Sequence, residues 1–361
     1  MDQAEKTDIL VIGAGPVGLF TVFEAGLLGL RCHLIDNLDR IGGQCTELYP
    51  EKPIYDIPGV PFQTAQQHID ALEKQIAPFE YGLSLNQRVD SLQSVPPMQK
   101  GQKGQEGPEG QEGLEDWLVT TSAGEQYSAR NIFIAAGAGA FEPRRPTGID
   151  NPDHLLGSGV SYAVRNREQY RDRHVVIFGG GDSALDWSVD LTGWAKSVTL
   201  VHRRDAFRGA PATEQEMRQL VHSSKMKLMT PYVIDGIIAE QQVQAVVLKN
   251  FDTSERIEVP CDEVLFLLGL NKKLGPILDW ELELTGKKIA VNTENFETSR
   301  KGIFAVGDIN HYPGKLDLIL SGFHETTLAC QKAYQRVHPG TRVPFGYTTS
   351  NQKLHKVLGA G

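Results

Sequence analysis

Two glycine-rich turns, 166 positions apart, constrain this chain more than any other feature. The first, GAGPVG from Gly13 to Gly18, follows the apolar run Asp8-Ile9-Leu10-Val11-Ile12. The second, GGGDSA from Gly179 to Ala184, follows Val175-Val176-Ile177-Phe178. Each has the order strand, tight turn, helix. At Gly13, Gly15 and Gly18, with Pro16 between them, the backbone can turn sharply and approach a pyrophosphate lying at a helix N-terminus. Gly179, Gly181, Asp182 and Ser183 supply the same turn in the second copy. A lone turn of this kind is weak, because glycines also serve packing. Two, each in strand-turn-helix context, point to two dinucleotide sites.

The residue 23 positions beyond the start of each turn separates the two ligands. After Gly13 it is Asp36, which closes the next strand, His33-Leu34-Ile35. A carboxylate there accepts from ribose hydroxyls and repels a 2′-phosphate. After Gly179 it is His202, followed by Arg203, Arg204 and then Arg208. Such a cationic group suits a 2′-phosphate. The pair implied is FAD at the first turn and NADPH at the second.

At 361 residues the chain suggests two domains. It has no run of 18 apolar residues, and Met1 to Thr7 is polar rather than basic-then-apolar. No membrane association and a cytoplasmic location are therefore expected. A net charge of −9 without a basic stripe argues against nucleic acid as a partner. The cysteines at 32, 45, 261 and 330 are too widely spaced for a metal knuckle or a disulfide framework. No metal is expected, and the thiols are read as reduced.

Residues 96–115 are nearly all Gly, Gln, Glu, Lys and Pro, a flexible low-complexity insertion. The segments flanking it alternate as strands, which makes it the tip of a long hairpin. Beyond it runs Asn131-Ile132-Phe133-Ile134-Ala135-Ala136-Gly137-Ala138, and a similar strand recurs over Asp262 to Gly269. Glycine turn, hairpin region and small-residue strand thus occur twice, an internal duplication of a nucleotide-binding domain. A further strand, Gly302 to Val306, ends in Gly307-Asp308. The expected division is a discontinuous FAD-binding domain, 1–150 and 296–361 with a C-terminal tail, and an NADPH-binding domain over 151–295.

These residues together resemble the two-dinucleotide flavoprotein reductases that include glutathione and thioredoxin reductases. GAGPVG with Asp36, Gly42-Gly43, the AAGA stretch, GGGDSA with HRR, and TSRKGIFAVGD carry the resemblance. It implies an α/β fold of two Rossmann-like three-layer nucleotide-binding domains, thioredoxin-reductase-like. The redox disulfides of that group are missing. Cys45 fills the first place of the glutathione-reductase pair, but Pro50 stands at the second, and residues 138–178 contain no cysteine. The segment Gly42 to Gly59, GGQCTELYPEKPIYDIPG, instead looks like the signature of the thioredoxin-reductase-like ferredoxin–NADP reductases. So do Ala138 to Arg144 and the tail Val343 to Gly361.

This resemblance implies FAD contacts from Asp36, Gln44, Tyr49, Val89, Phe141, Asp308 and Thr349. Asp308 would take the ribityl chain and Tyr49 one face of the isoalloxazine. In this family the tail of one subunit covers the other flavin face in a homodimer. Phe345 is the expected covering ring, with Tyr347 as the alternative. The implied reaction passes hydride from NADPH to flavin N5 and single electrons to ferredoxin or flavodoxin. It needs no general acid. An acidic carrier docking on an acidic chain would use a local basic patch, with Arg144, Arg145, Arg165, Arg167, Lys353 and Lys356 as candidates. Two rivals are an NAD(P)H oxidase or peroxidase cycling Cys45 through sulfenic acid, and a flavin-based redox sensor.

Overall fold

In a computed structural model the described residues are 4–96, 115–344, 346–350, 352–357 and 359. The chain forms two compact units, one from 1–140 and 273–361, the other from 141–272.

The first unit is organised by a sheet in which strand Glu5–Ile12 lies between Cys32–Ile35 and Gln126–Ile134, all parallel. Tyr81–Ser84 extends one side, and Ile303–Ala305 pairs in parallel with the end of Gln126–Ile134. Ile9 to Ile12 are buried on both faces, as a central parallel strand requires. Their alternation sorts two cores. Ile9 and Val11 point into a cluster with Leu34, Phe133, Phe304 and the helices Pro16–Leu27, Ala65–Ile76 and Ile319–Val337. Leu10 and Ile12 join Ile35, Ile132 and Ile134 on the other face, against Leu92, Trp117 and Val119. Those last residues belong to an antiparallel meander, Val89–Val95 and Asp116–Thr121 leading into Gln126–Ile134. The layers are therefore helices, parallel sheet and meander.

The second unit repeats this plan. His174–Phe178 lies between Ser197–Val201 and Glu263–Phe266 in a parallel sheet. Val175 and Ile177 face the helices Asp182–Asp190 and Pro211–His222, in a cluster with Leu185 and Met217. Val176 and Phe178 face a separate meander, Tyr232–Ala239, Val243–Asn250 and Arg256–Pro260, through Ile234, Val246 and Leu248. The duplication expected from sequence is thus present as two three-layer α/β units.

The units divide at 140/141 and 272/273, not at 150/151 and 295/296. Packing explains the shift. Arg144 N donates to Gly269 O, and Ile149 packs against the second unit's meander core. Ile277, Trp280, Leu282 and Ile289 fill the meander side of the first unit. The hairpin around the low-complexity segment also forms, closed by Val95 opposite Asp116. Residues 97–114, the bulk of that insertion, lie outside the described residues. Among the described residues no helix is long and apolar enough to cross a membrane.

Candidate dinucleotide sites

The first glycine turn is built by contact, residue by residue. Gly13 has φ +109°, and a Cβ there would come within 2.5 Å of Ala135 O. A Cβ on Gly18 would lie 1.9 Å from Gly13 O, so this glycine lets the helix lie against the strand. Gly15 differs, because a Cβ there would meet nothing within 4 Å. Gly15 is also the N-cap of helix Pro16–Leu27, and no side chain caps it. The first N–H groups of that helix are left for a ligand, as a bound pyrophosphate requires.

Three further segments gather around this turn. Asp36, at the end of Cys32–Ile35, accepts from Ala14 N–H at 2.6 Å and from Leu38 N–H at 2.8 Å. Burial pushes its carboxyl above the usual range, against the pull of those backbone donors. Gly42 N donates to Ala14 O at 2.8 Å, and a Cβ on Gly43 would lie 3.2 Å from Gly15 Cα. The double glycine therefore rests directly on the glycine turn. Gln44 starts the short helix Gln44–Glu47, and its Nε2 is 3.3 Å from where a Cβ on Gly137 would lie.

Cys45 and Tyr49, on and just beyond the short helix Gln44–Glu47, come near Asp308 from a distant part of the chain. Tyr49 OH and Cys45 Sγ are 3.7 Å apart. Burial pushes the Tyr49 hydroxyl up, and Cys45, Asp308 and Asp56 add to the shift. Cys45 is buried, and its thiol is pushed up to about 11 by desolvation, with the Asp308 charge adding to it. All four cysteines are free and buried, and burial raises the others too.

Other expected contacts are placed less directly. Val89 is buried in the meander core. Phe141 lies in strand Ala140–Pro143, and its side chain is outside the described residues, as is the whole of Phe345. Thr349 sits in the short helical turn Thr348–Ser350 and is exposed, and Tyr347 is 74 % exposed.

The second turn repeats the first with a different rim. A Cβ on Gly179 would lie 2.5 Å from both Leu267 O and Ala184 Cβ, and one on Gly181 would meet nothing within 4 Å. Gly181 is the uncapped N-cap of helix Asp182–Asp190, and Ser183 is exposed in its first turn. Asp182 is not the cap. Its Oδ1 accepts Ala210 N–H at 2.8 Å and pins the loop that carries the arginines. The His202 ring lies 2.3 Å from where a Cβ on Gly180 would stand, and 5.3 Å from the Phe207 ring. Burial lowers the His202 pKa, and Arg203, Arg204 and Arg208 lower it further. Those arginines are exposed around it.

The basic patch is partly neutralised. Arg145 pairs with Asp153 at 2.7 Å, Arg167 with Asp190 at 3.2 Å, and Arg144 donates to Asn271 at 3.3 Å. Lys356 is exposed; the Lys353 side chain lies outside the described residues. No group of ligating side chains among the described residues could hold a metal.

Sequence reasoning missed Glu325. It is fully buried on helix Ile319–Val337, and its Oε2 accepts Gly307 N–H at 2.7 Å. Its signal was a lone acid on a helix face otherwise made of Gly322, Thr326 and Ala329.

The family profile described as pyridine nucleotide-disulphide oxidoreductase matches residues 7–336. A ferredoxin–NADP reductase of Nitrobacter hamburgensis is 48 % identical over 359 residues, covering 99 % of each chain. Another, of Bradyrhizobium sp. BTAi1, is 49 % identical with the same coverage. Among solved structures, thioredoxin reductase of Lactococcus lactis superposes with a TM-score of 0.70 at 22 % identity, over 92 % of this chain and 99 % of that one. Thioredoxin reductase of T. acidophilum does so with a TM-score of 0.70 at 19 % identity, over the same shares. These likenesses show the thioredoxin-reductase-like fold. The chain is an oxidoreductase that belongs to the pyridine nucleotide-disulphide oxidoreductase family and groups within it with the ferredoxin–NADP reductases.

Proposed function

We propose that this chain carries electrons between NADPH and a ferredoxin or flavodoxin through FAD, without a protein disulfide. The observation that supports this best is the contrast between the two rims. An acid tips the open glycine turn of the first unit, and three arginines surround that of the second, in a chain whose described cysteines are all buried and unpaired. Bound FAD supplies the step between two-electron hydride acceptance and one-electron release.

The residues of the chain bind and orient. The open helix start at Gly15 takes the FAD pyrophosphate, Asp36 the adenosine ribose, and Gln44 and Asp308 the polar length beyond it. Tyr49 lies against the ring system and excludes water there. Phe141, Val89 by its backbone, and Thr349 complete the set. Gly179, Gly181, Asp182 and Ser183 form the NADPH turn, with Asp182 acting through the loop it pins. Arg203, Arg204 and Arg208 recognise the 2′-phosphate beside a neutral His202.

Beyond Val343, residues 344, 346–350, 352, 356 and 359 are exposed, in keeping with a tail that covers the flavin of a second copy in a homodimer. Phe345 is then the covering ring, and it moves aside to admit nicotinamide. Sedimentation of the flavin-loaded protein tests the dimer, with a monomer at micromolar concentration counting against it. The peroxidatic reading of Cys45 is disfavoured by a thiol held at about 11, since the thiolate is the reactive form. Steady-state reduction of ferredoxin with NADPH tests the reaction itself.

A further inference from the structure

Glu325 has no exposure to solvent, yet its carboxylate accepts from four donors. Oε2 takes Gly307 N–H at 2.7 Å and Asn310 Nδ2 at 2.7 Å. Oε1 takes Tyr312 OH at 3.0 Å and the Lys315 ammonium. The Lys315 side chain is itself 2 % exposed and lies 5.6 Å from the Tyr312 ring centroid. A carboxylate removed from water is costly unless its lone pairs are filled and its charge is matched. Both conditions are met here, and all four donors come from one short segment, 307–315, which includes the strand Asn310–His311. The carboxylate gathers that segment onto helix Ile319–Val337.

The turn is gripped where it leaves the sheet. Gly307 has φ +80°, a left-handed conformation natural to glycine. A Cβ on Gly322 would lie 3.3 Å from Gly307 Cα and 2.4 Å from Val17 Cγ2. Helix, turn and the first phosphate-binding helix are thus closely packed. With its N–H drawn inward to Glu325, the Val306–Gly307 peptide, one residue ahead of Asp308, has one orientation. Asp308 in turn stands near Cys45 and Tyr49, whose pKa values its charge raises.

We propose that Glu325 is a positioning residue for the FAD site: by fixing the Gly307 peptide, with Lys315 as buried counter-charge, it sets the direction in which Asp308 meets the cofactor. This rests on reading Asp308 as a flavin contact. A role in packing alone would be satisfied by glutamine, which has the same shape. Glutamine cannot satisfy the electrostatic role, because its NH2 group would face two of the four donors and Lys315 would lose its counter-charge.

The test compares holoenzymes of the wild type with E325Q, Y312F and D308A. FAD release is followed by recovery of flavin fluorescence on dilution, well below the unfolding temperature. The midpoint potential of the bound flavin and NADP+ affinity are measured alongside. Release from D308A and E325Q is expected to be faster by at least about tenfold, and from Y312F by about threefold, from the donors lost. The potential should move in E325Q, while NADP+ affinity changes by less than about twofold. If E325Q does not fold, Y312F and N310A each remove one donor and should still give the graded increase. Fast release from D308A with wild-type release from the Glu325-network variants overturns the positioning role. Wild-type release from D308A itself overturns the reading of Asp308, and the positioning role with it.

Discussion

Asp36 Oδ2 accepts the backbone N–H of Ala14 at 2.6 Å, while Asp36 Oδ1 accepts Leu38 N–H at 2.8 Å. The residue proposed to read a ribose is therefore also a brace between the glycine turn and the end of the second strand. A carboxylate has about four lone-pair positions, so these bonds leave acceptor capacity for a ribose hydroxyl. The same economy runs through both sites, where fold and binding share atoms. Substitutions that separate the two roles are the informative ones.

Gly15 and Gly18 should separate cleanly. A Cβ at 15 enters open space, whereas one at 18 lies 1.9 Å from Gly13 O. Gly15→Ala is expected to fold with stability within about 0.5 kcal/mol of wild type, yet to lose FAD affinity by at least about tenfold. Gly18→Ala is expected to be strongly destabilised, because the helix must move off the strand. Thermal unfolding of apoprotein and flavin titration check both; equal loss of fold at the two positions would contradict the open cradle.

At the second site, removing one of Arg203, Arg204 or Arg208 should weaken NADPH binding on the order of tenfold, since charge-assisted bonds to phosphate are the strong ones. NADH kinetics should stay near wild type. The NADPH penalty should shrink as salt rises, because the arginines are exposed. KM values for both nucleotides at two ionic strengths decide it.

Cys45 should be chemically quiet. With its thiol held at about 11, only about one part in a thousand is thiolate at pH 8. Reaction with a disulfide reagent should be slow in native protein and fast after unfolding. Cys45→Ser should keep at least about half of the turnover, as expected of a small buried residue with no chemical role. Abolished turnover would revive the sulfenic acid cycle.

His202 and His68 both have pKa values lowered chiefly by burial. The unfolded chain, with histidines near about 6.5, then binds more protons than the folded one just below that pH. Stability is complete above about pH 6.5 and falls as the pH drops toward the lowered folded values. The unfolding temperature of the nucleotide-free protein should fall over that window, and less steeply in a variant with glutamine at 68 and 202. An unchanged slope would place the acid sensitivity elsewhere.

The two cradles were legible in the sequence because they are local. A strand, its glycine turn and the charge beyond it lie within about thirty residues, and each step has its own physical signature. The unit boundaries were less legible. Ile277, Trp280 and Leu282 complete a core whose other walls, Leu10 and Trp117, lie far away along the chain, and no composition shift marks that choice. Glu325 was hidden for a similar reason, since its four donors sit in a turn-rich segment whose strand, Asn310–His311, is too short to show a period. Asp182 was legible as part of a helix start, but its tie to Ala210 depends on how the arginine loop folds back.

The central claim is that electrons pass from NADPH through FAD to a one-electron carrier with no thiol relay. Steady-state reduction of ferredoxin, followed through cytochrome c with NADPH and then NADH as donor, tests it most directly. The account predicts ferredoxin-dependent turnover with NADPH strongly preferred. Turnover only with oxygen, peroxide or a disulfide would contradict it.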